Sequence, residues 1–96
     1  MLTLIKSPTS EEDLIDIWLY TTEDQPANAD RLLDRLNEAM IKLTQMPKMG
    51  VERSELIKGL RSYPVGKYIL YYRIKDNNIE LARVLSSSRD IDNIDW

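Results

Sequence analysis

Lys67-Tyr-Ile-Leu-Tyr-Tyr-Arg-Ile74, then Asp76-Asn77-Asn78, then Ile79-Glu-Leu-Ala-Arg-Val-Leu85 decides the fold class. Two runs rich in β-branched and aromatic residues, joined by a short polar turn, read as one antiparallel hairpin. Just upstream, Gly59-Leu-Arg-Ser-Tyr63 reads as a short strand and Pro64-Val65-Gly66 as a turn, so the second half of the chain is expected to form an antiparallel sheet. Ile69-Leu70-Tyr71-Tyr72 does not alternate apolar with polar, unlike a strand with one wet face. One face is expected to cover helices. The other is expected to carry exposed aromatic and aliphatic area available to a partner, unless the chain's own loops cover it.

Working back from the sheet, Val51–Lys58 reads as a loop, and Met46-Pro-Lys-Met-Gly50 as the stop of a long helix, because Pro47 biases Met46 away from helical geometry. That helix opens at Pro26. Its apolar positions Ala29, Leu32, Leu33, Leu36, Ala39, Met40 and Leu43 fall at the three-and-four spacing of a single buried stripe, with Arg31, Asp34, Arg35, Glu38 and Lys42 on the wet side. An earlier helix is predicted to run to about Thr22, capped by Thr9 or Ser10. Thr9 and Glu12 have capping-box spacing, and the acidic run Glu11-Glu12-Asp13 suits the positive end of the helix dipole better than it suits a metal. Leu14, Ile17 and Trp18 share a face of that helix, which places Trp18 in the core. The short link Glu23–Pro26 makes the helices an antiparallel hairpin. Residues 2–6 read as a strand and Asp90 as the cap of a last turn carrying Ile91, Ile94 and Trp96. The resulting class is α+β, a single domain over residues 1–96 in the order β-α-α-β-β-β, with a short C-terminal turn or helix.

Composition narrows the chemistry. Ninety-six residues suit one domain, and 43% apolar with 30% charged residues is ordinary for a globular fold. The absence of cysteine excludes disulfides, thiolate zinc sites and a cysteine nucleophile; the absence of histidine removes the commonest general base and transition-metal ligand. No metal or cofactor is expected. Met1–Lys6 has no long apolar run or cleavage site of a signal peptide, so a cytoplasmic location without membrane contact is the expectation. The net charge of −3 is unevenly distributed. Residues 1–47 hold four basic and nine acidic side chains, whereas residues 48–90 hold nine basic and five acidic. One face is thereby able to meet something anionic, although the same charges also fit an ordinary solvated sheet face.

Gly59-Leu-Arg61, Pro64-Val-Gly66-x-Tyr68, Tyr71-Tyr72-Arg73, Arg83-Val-Leu85 and Arg89-Asp90 occur in an order that resembles the ParE toxins of the RelE/ParE superfamily. Ser7-Pro8, Asp13-Leu14, Ile17, Tyr20 and the Pro47-x-x-Gly50 loop fit the same pattern. Each fragment alone is weak; the ordered set over about eighty residues is specific. The resemblance implies the RelE/ParE-like fold and the toxin of a bacterial type II toxin–antitoxin module, of a kind linked to growth arrest and plasmid maintenance. It would act by poisoning DNA gyrase, with the enzyme on cleaved DNA, without covalent chemistry of its own and so without catalytic residues. It also implies a hetero-oligomer with a cognate ParD-like antitoxin, which folds on binding over an apolar groove. One departure is visible: many such chains have a histidine after the Val-Leu of the last strand, where this one has Ser86.

The implied target contacts are the cations of the sheet half and the terminal aromatic: Arg61, Lys67, Arg73, Arg83, Arg89 and Trp96. The implied antitoxin contacts are Leu70, Tyr71, Tyr72 and Leu85, with the helical hairpin as a further cradle. Arg61 and Arg83 are equally suited to pairing with carboxylates inside the fold, and Arg89-Asp90 to a structural pair at the end of the sheet. Trp96 either closes over the sheet or stays free for a partner. Two rival readings share the fold. A ribosome-dependent mRNA endonuclease of the RelE branch would use Arg61, Arg83 and Lys67 as cations, but the tail Ser88–Trp96 lacks the Tyr or His usual there, and a pI near 4.9 suits a ribosomal surface poorly. A non-toxic co-repressor that only binds its antitoxin is the other.

Overall fold

The computed structural model describes residues 1–96. Strand β1 (Thr3–Lys6) leads into helices α1 (Pro8–Asp24) and α2 (Pro26–Gln45), joined through Gln25 alone. A 3₁₀ turn, Pro47–Met49, leads to the two-residue strand β2 (Val51–Glu52). Then come β3 (Leu60–Val65), β4 (Tyr68–Lys75), β5 (Asn78–Ser86) and a second 3₁₀ turn, Ile91–Asn93. The strands form one sheet in the order β1-β5-β4-β3-β2. No helix is long and apolar enough to cross a membrane.

The sheet is mixed rather than wholly antiparallel, because β1 pairs parallel to β5, from Thr3 opposite Asn78 to Lys6 opposite Leu81. The helical hairpin carries the chain away from β1, and the strand's partner arrives only some seventy residues later. The region read as a loop also contributes an edge strand, β2, paired to Ser62 and Arg61. Elsewhere turn chemistry sets the register. Asp76 and Asn77 both take positive φ (51° and 64°) in the tight β4–β5 turn, a conformation Asp and Asn tolerate. Gly66 takes φ 59° at the start of the β3–β4 turn. Pro64 lies inside β3 rather than in that turn; it is paired to Ile69 beyond the reach of β2, where its missing N–H leaves no gap in the ladder.

Helix α1 is capped two residues earlier than Thr9. Ser7 is the N-cap: its Oγ accepts from Ser10 N–H at 3.0 Å, Ser10 Oγ donates to Ser7 carbonyl at 2.8 Å, and Pro8 occupies the first turn. Ser7 Oγ also donates to the Ala82 carbonyl at 3.0 Å, which ties the cap to β5.

Helix α2 buries the expected stripe: Leu36, Met40 and Leu43 are fully buried and pack on Leu70, Tyr72, Ile79, Leu81 and Val84 of the sheet. Burial of each such side chain is worth about 1.5–3 kcal/mol. A register shift at Tyr71/Tyr72, where Ala82 is the extra residue in β5, resets the alternation. It keeps Val84 under the helices after Ile79 and Leu81 and turns Leu85 to the opposite face.

That opposite face is closed. Leu60, Tyr71 and Leu85 form a second buried cluster beneath Leu56 and Ile57 of the loop before β3 and beneath Ile91, Ile94 and Trp96 of the tail. The expected exposed face of β4 is therefore absent: Tyr71 is 0% and the neighbouring Leu85 3% exposed on that side, while Leu70 and Tyr72, 0% exposed, face the helices.

Candidate functional site

The arginines of the sheet half divide by what they hold. Arg83 makes a two-pronged pair with Asp13 of α1, Nε to Oδ2 at 2.8 Å and Nη2 to Oδ1 at 3.0 Å. The same Oδ2 accepts the Val84 N–H at 3.0 Å, and Arg83 Nη1 reaches the Asp95 carbonyl at 3.3 Å. Both side chains are nearly out of solvent, at 14% and 11%, and the Asp13 hydrogen bonds push the Arg83 guanidinium further above its already high range. Arg83 thus braces α1, β5 and the tail together. Arg61 donates to the Gly50 carbonyl at 2.7 Å and lies 3.5 Å from Glu52, which pins β2 to β3. Both offered themselves in the sequence as contact residues, and both are internal ties.

Arg73 is half exposed, 3.6 Å from Glu80 across the β4–β5 ladder. Lys67 and Arg89 are exposed and have no carboxylate within ion-pairing distance. Asp90 caps the last turn as expected, accepting from Asp92 N–H at 3.2 Å and from Asn93 Nδ2 at 2.7 Å, but it makes no ion pair with Arg89. Trp96 closes over the sheet, edge-on to Tyr71 with ring centroids 4.9 Å apart.

The six proposed target contacts do not assemble into one basic face. Arg73, Arg83 and Trp96 line one cleft of about 200 Å³ beside Ser7 and Glu80. Arg89 lines a second with Asp13, Asp16 and Tyr20. Lys67 stands at the β3–β4 turn in a third. The four proposed antitoxin contacts, Leu70, Tyr71, Tyr72 and Leu85, are core residues and offer no surface in this conformation. Tyr72 has an internal role: its hydroxyl donates to the Pro47 carbonyl at 2.7 Å and accepts the Gly50 N–H at 3.0 Å, and burial raises its pKa. A Cβ on Gly50 would stand 2.5 Å from that hydroxyl, which is why the Pro47-x-x-Gly50 loop ends in glycine.

The open apolar surface lies elsewhere, on the outer side of the helical hairpin. Ile15 is 59% exposed, Leu19 50% and Trp18 36%, and an almost wholly apolar groove of about 260 Å³ runs between Leu14, Ile15, Trp18 and Leu33. Trp18 is therefore not core; its indole N–H donates to Asp30 Oδ1 at 3.3 Å across the hairpin. The signal was present in the sequence. Leu14, Ile15, Ile17, Trp18, Leu19 and Tyr20 are too many apolar positions for one stripe, and the sheet takes only Ile17 into the deep core.

Comparison with known proteins converges on one group. Residues 4–91 match the family model described as ParE toxin of type II toxin-antitoxin system, parDE. A Mycobacterium tuberculosis protein named Toxin ParE1 is 28% identical over 88 residues, which is 90% of each chain. A Caulobacter vibrioides protein named Toxin ParE3 is 27% identical over 63 residues, covering 66% of this chain and 63% of that one. Among solved structures, a chain of the chromosomal ParDE TA system from P. aeruginosa superposes with a TM-score of 0.78 at 20% identity, over 90% of this chain and 96% of that one, a likeness of fold.

Proposed function

This chain belongs to the ParE toxin family of type II toxin–antitoxin systems, and from that premise we propose that it inhibits DNA gyrase and is neutralised by a cognate ParD-like antitoxin laid over its helical hairpin. The observation that carries the antitoxin half is the open groove at Leu14, Ile15, Trp18 and Leu33. Aliphatic and aromatic side chains in such numbers on a small chain mark a partner surface, and an amphipathic segment that orders on binding is the occupant that fits a groove between two helices. Leu70, Tyr71, Tyr72 and Leu85 support the antitoxin surface from beneath, as the rigid layer on which the hairpin rests or on which the tail folds.

Target contact falls to the cations that the fold leaves free. Lys67 and Arg89 carry uncompensated charge, and Arg73 is weakly paired, whereas Arg61 and Arg83 act by holding the surface in shape. The tying-down of Arg61 and Arg83 also removes two of the three cations that an mRNA-cleaving reading requires. The gyrase reading is tested by mixing purified protein with gyrase and supercoiled plasmid and measuring trapped cleavage product. Linear DNA and loss of supercoiling at micromolar protein are the expected result; neither appearing at that concentration contradicts the reading. Adding a cognate ParD-like antitoxin should abolish the effect.

A further inference from the structure

We propose that the cleft between the tip of the helical hairpin and the β3–β4 turn binds a phosphate-bearing ligand, a nucleotide or a nucleic-acid strand. The cleft is open and about 580 Å³ in volume, within the range of small-molecule sites. Three cations line it, Arg31 and Arg35 from α2 and Lys67 from the turn, against one carboxylate, Asp24. None of the three cations has a carboxylate within ion-pairing distance, and none makes a side-chain hydrogen bond within the chain; the four ion pairs of the molecule all involve arginines of the sheet half. In a protein of net charge −3 with sixteen carboxylates, three convergent cations without partners are a feature that folding does not require. Arg31 and Arg35 stand one helical turn apart, a like-charged spacing that is unfavourable in itself and relieved by an anion between them.

The local backbone keeps this arrangement. A Cβ on Gly66 would lie 3.1 Å from Arg35 Nη2, so the turn runs directly against that guanidinium, and its φ of 59° favours glycine there. The first turn of α2 also lines the cleft and carries no acidic residue. Tyr20, 69% exposed, and Tyr68 supply aromatic surface on which a base can stack, the companion that phosphate-binding cations have in nucleic-acid grooves. That pairing of stacking surface with two arginine forks favours phosphate over a peptide carboxylate, which a single fork already satisfies.

The intact chain would be titrated at low salt with ATP, with a fluorescein-labelled twelve-nucleotide oligothymidylate, and with hexaglutamate as the carboxylate control. The expected result is binding of a phosphate probe, weakened at least about tenfold by Arg31→Gln with Arg35→Gln, and a salt slope reduced by about one for each cation removed. A strand bound far more tightly than ATP identifies a nucleic-acid backbone as the source; the reverse identifies a free nucleotide. Lys67→Glu, on an exposed turn, should abolish binding with thermal unfolding unchanged. No binding at millimolar probe, binding indifferent to these substitutions, or hexaglutamate bound as tightly as the strand each overturns the proposal. No gyrase is present in this assay, so the cleft and the gyrase reading stand or fall separately.

Discussion

The two outer faces of the molecule reverse the roles that their sequences advertise. The sheet face holds the aromatic strand Tyr68–Lys75 and most of the family-like motifs, yet Tyr71 and Tyr72 are fully buried, Tyr71 beneath the tail and Tyr72 beneath the helices. The helical face is written in ordinary amphipathic helices, yet Ile15, Trp18, Leu19 and Tyr20 stand in solvent. Apolar content alone does not say which face is open. What decides it is whether some other part of the chain is long enough and apolar enough to lie across it, and here Leu56, Ile57 and Ile91–Trp96 do so for the sheet while nothing does so for the hairpin.

The contrast can be broken most severely at its hinge. Asp13→Ala strands the Arg83 guanidinium and the Val84 N–H together and should cost about 3 kcal/mol of stability, read by urea unfolding; Lys67→Ala should cost less than about 0.5 kcal/mol. Equal costs would mean that the tied and the free cations are not distinct. Next in size, Ile15→Asp with Leu19→Asp should lower affinity for the antitoxin by about 2 kcal/mol while leaving stability nearly unchanged, measured by calorimetry beside a melting curve.

Tyr72→Phe should cost about 1–2 kcal/mol, because it leaves the buried Gly50 N–H and Pro47 carbonyl without their partner. It should also alter the alkaline limb of the stability profile. Burial raises the Tyr72 pKa in the folded state, so the unfolded chain ionises first; stability is intact below the usual tyrosine range near 10 and falls as pH rises through it toward the folded value. That part of the decline should vanish in the phenylalanine variant. Trp96→Ala should cost about 1 kcal/mol for the lost edge-on contact, together with a rise in Tyr71 accessibility.

Much of the fold is legible in the sequence because it is local. The stripe of α2 repeats every three to four residues, and the Asp76-Asn77 turn announces the β4–β5 hairpin through its backbone tolerance. What the sequence hides is non-local. Nothing near Thr3–Lys6 says that its neighbour is β5 or that the pairing is parallel. Arginine in a strand is expected to find a carboxylate, but that Arg83 finds Asp13, seventy residues away, follows only from the packing of α1 on β5. The cleft at Arg31, Arg35 and Lys67 is hidden in the same way: two of its cations look like the wet side of a helix until the β3–β4 turn is brought against them.

Hydroxyl-radical footprinting of the free chain and of its complex with the antitoxin tests the reversal of faces directly. Trp18, Leu19 and Tyr20 should be oxidised in the free chain and shielded in the complex, while Tyr71 and Tyr72 should be unreactive in both. Reactive Tyr71 and Tyr72 in the free chain, with Trp18 and its neighbours unchanged by the antitoxin, would contradict the account.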